Sequence, residues 1–124
     1  MTPAEARKAM RWCMKHEGLA TWIPRTKLDF TDDVPEWVCQ SGGIEGGGRC
    51  AYNRSYRSLR IWVGPLACAA DDNVDPLQVL FHEVLHLSAD IAGLPGDGPA
   101  VEFFINRQAE ALAFAYTHGM KPWR

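Results

Sequence analysis

The chain has 124 residues, enough for one domain with its own core, and 47% hydrophobic against 23% charged residues excludes a disordered polypeptide. A net charge of −2 argues against a dedicated nucleic-acid binder, which carries a basic excess. No run approaches the roughly 18 apolar residues of a membrane span. The opening "MTPAEARKAM" lacks the apolar stretch of a signal peptide, so a cytoplasmic protein without a membrane partner is expected.

The first predicted element is a helix. Thr2 can cap it, Pro3 suits its first turn and Glu5 completes a Thr-x-x-Glu capping box. Ala6, Ala9, Met10, Cys13 and Met14 form its apolar face, and Gly18 is placed to end it. From Leu19 to Gly64 the pattern changes to short strand-like runs broken by Pro24, Pro35 and glycines, with strands expected at Lys27–Phe30 and Glu36–Cys39. "SGGIEGGGR" holds five glycines within seven residues and predicts a loop or wide turn. "CAYN" follows, and then "SLRIWVG", where Leu59, Ile61 and Val63 alternate with Arg60 and Trp62 in the best strand pattern of the chain. The basic residues around it, Arg54, Arg57 and Arg60, read as a solvated strand face.

Two helices close the sequence. The first starts at Asp75-Pro76, with Asp75 as cap and Gln78 as its capping-box partner, and stops near Gly93. The second runs from about Pro99 to His118 and is closed by Gly119. Helix, strands, helix, helix predicts one α+β domain over residues 1–124. The four cysteines, Cys13, Cys39, Cys50 and Cys68, contain no Cys-x-x-Cys pair, which argues for reduced thiols rather than a four-cysteine zinc site.

The chemistry is concentrated in "VLFHEVLHLSAD", residues 79–90. His82 and His86 are one helical turn apart, so both imidazoles leave the same face, as a tetrahedral Zn²⁺ requires. Glu83 lies about 100° around the helix, where it can serve as a base toward a metal-activated water without being a ligand. His-Glu-x-x-His arises by chance in roughly one chain of this length in a few hundred. Its apolar flanks, Val79, Leu80, Phe81, Val84, Leu85 and Leu87, predict a buried helix in which unpartnered imidazoles would be costly and a metal would relieve the cost.

A third protein ligand is needed if water takes the fourth position. Asp90, Glu102, Asn106 and Glu110 are candidates. Asp90 shares the helix of the histidines and could bind only if that helix bent. An antiparallel hairpin about Gly96 would set residue 82 against residue 110, so this geometry favours Glu110 and leaves Asp90 and Glu102 as alternatives.

The segments "LQVLFHEVLHL" and "RQAEALAFAYTHGM" resemble the ImmA/IrrE family of zincin metallopeptidases. In that family a Glu-Ala-Asn-x-Phe-Ala-like segment carries the third ligand; here it reads Glu110-Ala111-Leu112-Ala113-Phe114-Ala115, with Leu112 where Asn is usual. The resemblance implies a minimal zincin-like domain of gluzincin type. It implies a zinc metallopeptidase with His82, His86 and Glu110 as ligands, Glu83 as base, and a protein or peptide as substrate. The likeness spans the last 65 or so residues, and the glycine-rich middle has no counterpart.

Other roles follow from zincin chemistry. A substrate strand adds to the sheet edge, for which Arg60, Ile61 and Trp62 are the candidates. A donor must steady the oxyanion; Tyr116 and His118 are the first candidates, with Tyr52, Tyr56 and His16 behind them. The rival reading is a non-catalytic binding or assembly module in which zinc is a structural brace.

Overall fold

In the computed structural model, which describes residues 1–40, 46–70, 73–94 and 98–122, the N-terminal capping box forms as the sequence predicts. Thr2 Oγ1 accepts from the Glu5 amide at 3.1 Å, and Glu5 Oε1 accepts from the Thr2 amide at 3.0 Å. These bonds stabilise the Glu5 carboxylate and hold its pKa below the usual range, the Thr2 amide contributing most. Helix α1 spans Pro3–His16, buries Ala6, Ala9, Met10, Cys13 and Met14, and gives way to Gly18 at φ +74°.

A short 3₁₀ helix, Ala20–Arg25, sinks Trp22 into the core before strand β1, Thr26–Phe30. The strand expected at Glu36–Cys39 is instead the helix α2, Glu36–Gln40. The Pro35 carbonyl accepts from the amides of Val38 and Cys39, closing a helical turn. That turn needs only one inward side chain, and Val38 supplies it. Of the glycine-rich stretch, residues 41–45 lie outside the described residues, and Gly46 and Gly47 form a turn.

Strand β2, Gly48–Asn53, pairs antiparallel with β3, Ser58–Val63, and β3 pairs parallel with β1, giving the order β1-β3-β2. Leu59, Ile61 and Val63 point into the core shared with α1. Trp62 is also buried, on the opposite face, with its indole N–H donating to the Thr31 carbonyl at 3.0 Å. β3 is therefore paired on both edges and covered on its inner face, and on its outer face at Trp62, while Arg60 is exposed, which makes it the centre of the sheet. A helix that the sequence pattern did not suggest, α3 (Pro65–Ala70), follows directly and buries Cys68.

Helix α4, Pro76–Ile91, is capped by Asp75, whose side chain accepts from the Leu77 amide at 3.0 Å. It buries Leu77, Leu80, Phe81, Val84, Leu85 and Leu87 and lies against α1, β2 and β3. Each such apolar side chain contributes roughly 1.5–3 kcal/mol by leaving water, so α4 is a firm platform for what it carries. Helix α5, Pro99–Thr117, packs along α4 and buries Ile105, Ala109, Leu112 and Ala113. The cysteines are dispersed over α1, α2, β2 and α3 and form no metal-holding cluster among the described residues. No helix among those residues is long and apolar enough to cross a membrane.

Candidate metal centre

His82 and His86 leave α4 on one face, with ring centroids 4.7 Å apart. Their Nε2 atoms approach to 2.9 Å. The carboxylate of Glu102, in the first turn of α5, closes the triangle. Its Oε1 lies 3.0 Å from His86 Nε2 and its Oε2 lies 3.3 Å from His82 Nε2. One ligand atom from each residue falls within 4.8 Å of the other two, close enough to bind one metal ion.

The donor set fits a cation better than it fits itself. His82 Nδ1 lies 2.8 Å from Asn106 Oδ1, a bond that requires the ring proton on Nδ1. The His82 Nε2 lone pair is then turned toward the Glu102 oxygen, acceptor against acceptor. One proton on His86 Nε2 cannot relieve every such pair, whereas a cation at the centre can. Ligand atoms on a tetrahedral zinc with bonds of ~2.0–2.1 Å stand about 3.3 Å apart, close to the spacings of the triangle. Burial lowers the pKa of His82, and a charge on His86 would lower it further. The deprotonated, ligating form is thereby favoured.

Glu83 is buried, with 7% of its surface exposed. Loss of water, reinforced by the nearby Glu102 charge, raises its carboxyl pKa to about 7. A cleft of about 540 Å³ opens over Glu83, His82, His86 and Glu102, walled by Gly48, Arg49, Cys50 and Tyr52 of β2. A second recess of about 380 Å³ shares Gly48, His82, Glu83 and Glu102 and continues past Cys68, Val79 and Asn106. Gly48 lets these walls meet: a Cβ there would stand 2.6 Å from Val79 Cγ1 and 3.3 Å from Glu83 Cγ. The glycine-rich segment thus has a packing role at its end that a loop reading does not reveal.

The structure brings together His82, Glu83 and His86 but not Glu110. Glu110 is exposed and lies with Arg107, Ala111 and Phe114 on the outer side of α5. The expected hairpin register is wrong by one turn: Asn106, not residue 110, stands opposite His82, and Glu102 reaches both histidines. The buried stripe of α5 explains the shift. Positions 102, 106, 109 and 113 follow the 3–4 spacing of one face, and Ala109 and Ala113 turn it inward. Glu110 lies about 100° away from Ala109 and is carried outward. Asp90 is also removed from the centre, half-exposed and 3.8 Å from Arg54.

The substrate-contact expectation for Arg60, Ile61 and Trp62 fails for a topological reason. β3 is the middle strand, with β1 on one side and β2 on the other, so it presents no edge. Ile61 and Trp62 are buried, and the Arg60 guanidinium lies 5.3 Å from the Trp37 ring centroid. The strand bordering the cleft is β2. Neither expected oxyanion donor is near it. Tyr116 packs against the rings of Trp12 and Phe81. His118 Nδ1–H donates to the Phe114 carbonyl at 2.8 Å, finishing α5. His16 is engaged by Glu17 at 2.8 Å and Tyr56 is exposed, which leaves Tyr52 as the tyrosine beside the cleft.

No family of known proteins, no curated protein and no solved structure matches this chain. The functional reading therefore stands on the geometry of the site and the chemistry of its residues.

Proposed function

We infer that the chain is a zinc-dependent peptidase in which His82, His86 and Glu102 hold the metal and Glu83 is the general base. One observation carries the reading: three ligand atoms converge to within 4.8 Å beside a buried carboxyl, that of Glu83, which is not one of the three. A zinc ion, when bound, supplies a Lewis acid that polarises a carbonyl and acidifies water. Glu83 takes a proton from the attacking water and delivers it to the leaving nitrogen, so peptide and water become acid and amine. Its burial favours a basic carboxylate, suited to both halves of that transfer. Asn106 holds His82 in the tautomer that presents Nε2 to the centre. Arg49, Cys50 and Tyr52 of β2 are the side chains a peptide in the cleft would meet, with Tyr52 as the candidate oxyanion donor.

The choice of zinc follows from two imidazoles and one carboxylate with room for a fourth ligand. A brace has no use for a buried carboxyl one residue from a ligand. Metal analysis of the purified protein should find about one zinc per chain. Zinc-loaded protein should generate new N-termini in a proteome-derived peptide library, and Glu83→Gln should keep the zinc but abolish them. Protein without zinc affinity would sink the reading. Zinc-binding protein that is inert in the library would favour the brace.

A further inference from the structure

Helix α5 has a second face that neither the core nor the metal centre uses. Phe103 and Phe114 are 66% and 64% exposed on it, an unusual cost for two large aromatic rings on one helix. Ala100, Phe103, Arg107, Glu110, Phe114 and Thr117 are all exposed and follow a 3–4–3–4–3 spacing, the pattern of a seam made to meet another helix. The Arg107 guanidinium lies 5.9 Å from the Phe103 ring centroid, and the His118 ring stacks on Phe114 at 4.0 Å. Both rings are thus held in place on the surface.

The order of residues along this seam is self-complementary. Consider two copies of α5 crossing antiparallel about a two-fold axis that passes between residues 108 and 109. Phe103 then faces Phe114 of the second copy, and Phe114 faces its Phe103. Arg107 faces Glu110 of the second copy, and Glu110 faces its Arg107. Ala100 and Thr117, both small, close the two ends in the same way. One axis satisfies every position, as an isologous interface requires. A partner of another kind would not need the charges and rings of this face to mirror one another.

We propose that α5 is a homodimerisation helix and that the occupant of its outer face is a second copy of this chain. The two Arg107–Glu110 pairs lie next to the axis and set the antiparallel register, and two Phe103–Phe114 pairs flank them as the apolar part of the seam. A seam of 19 residues is about 28 Å long. One helix per copy makes a small seam, and a weak dimer with a dissociation constant on the order of 10 μM is expected. Glu102 and Asn106 flank this seam, at about 110° and 70° from its centre line, so the metal centre borders the proposed interface and does not lie within it.

Sedimentation equilibrium of the full chain, from about 1 to about 500 μM, should show monomer passing to dimer with no larger species. Arg107→Glu alone and Glu110→Arg alone each set like charges face to face and should weaken association at least about tenfold. An equimolar mixture of these two variants restores both opposite-charge pairs and should form the heterodimer. Far-UV circular dichroism and thermal melts of dilute samples should show both variants folded, because each replaced side chain is exposed. Phe114→Gln, which removes both aromatic pairs without touching charge, should also prevent the dimer. A wild-type chain that stays monomeric over the whole range would overturn the proposal. So would a dimer indifferent to both single reversals, or a mixture that associates no better than its components.

Discussion

The two faces of α5 differ in what surrounds them more than in what they are made of. Each carries acidic and large apolar or polar residues at helical spacing. The inner face puts Glu102 and Asn106 within hydrogen-bonding distance of two histidines that are themselves largely buried. The outer face leaves Glu110 and Arg107 in water, where a charge is solvated and costs nothing. Sequence composition cannot separate Glu102 from Glu110. Burial of the stripe between them does. The comparison teaches that a carboxylate becomes a ligand through the apolar residues that aim it.

The sharpest way to break the comparison is to delete the two carboxylates in turn. Glu102→Ala removes one of three protein ligands and should lower zinc affinity by roughly a thousandfold, about 4 kcal/mol, read by chelator competition. Glu110→Ala should leave zinc affinity unchanged within error. The reverse result would restore the symmetric hairpin register and the family-like ligand set. Thermal melts give an independent reading. Zinc at about 100 times its dissociation constant should stabilise wild type and Glu110→Ala by about 2.7 kcal/mol, and Glu102→Ala by far less.

A smaller effect is expected at the next pair. Asn106→Ala removes the acceptor that fixes the His82 tautomer, which should cost about 10–100-fold in zinc affinity. Asn106→Asp keeps an acceptor at the same place and should recover most of the loss. Arg107→Ala, the adjacent outward residue, should have no effect on zinc. If Asn106→Ala and Arg107→Ala behave alike, the bond between Asn106 and His82 does not orient the ring.

How much of this was legible in the sequence depends on whether a signal was local. Helices α1 and α4 announce themselves through caps at Thr2 and Asp75, α5 through Pro99 at its start, and all three through terminal glycines, and all three form close to their expected bounds. His82, Glu83 and His86 are fixed relative to one another by one helix, so their spacing suffices. Helix α2 and the pairing of β3 are different. Whether Glu36–Gln40 is strand or helix depends on the Pro35 carbonyl and on where Val38 finds its pocket. Whether β3 is an edge depends on strand order, which no single strand encodes. The third ligand depends on the register between two helices; a symmetric hairpin is one turn out of register at His82 and points to Glu110, about two turns from Glu102. The periodicity of Ile105, Ala109, Leu112 and Ala113 was the readable clue, because it turns Glu102 inward and Glu110 outward.

The smallest expected effect tests the outer face alone. Replacing Phe103 and Phe114 together by Gln removes two exposed rings but no core contact, and Gln is a good helix former. In samples dilute enough to be monomeric, stability should change by no more than about 1 kcal/mol, the scale of surface substitutions and exposed ring–cation contacts. Wild-type melting temperature should rise with protein concentration, because the dimer binds only folded chains, whereas that of the double variant should not. Ile105→Ala, on the inner face of the same helix, should cost about 2–5 kcal/mol at any concentration. A dilute double variant destabilised as strongly as Ile105→Ala would mean that Phe103 and Phe114 belong to the core of the folded monomer. The two faces would then differ in name only.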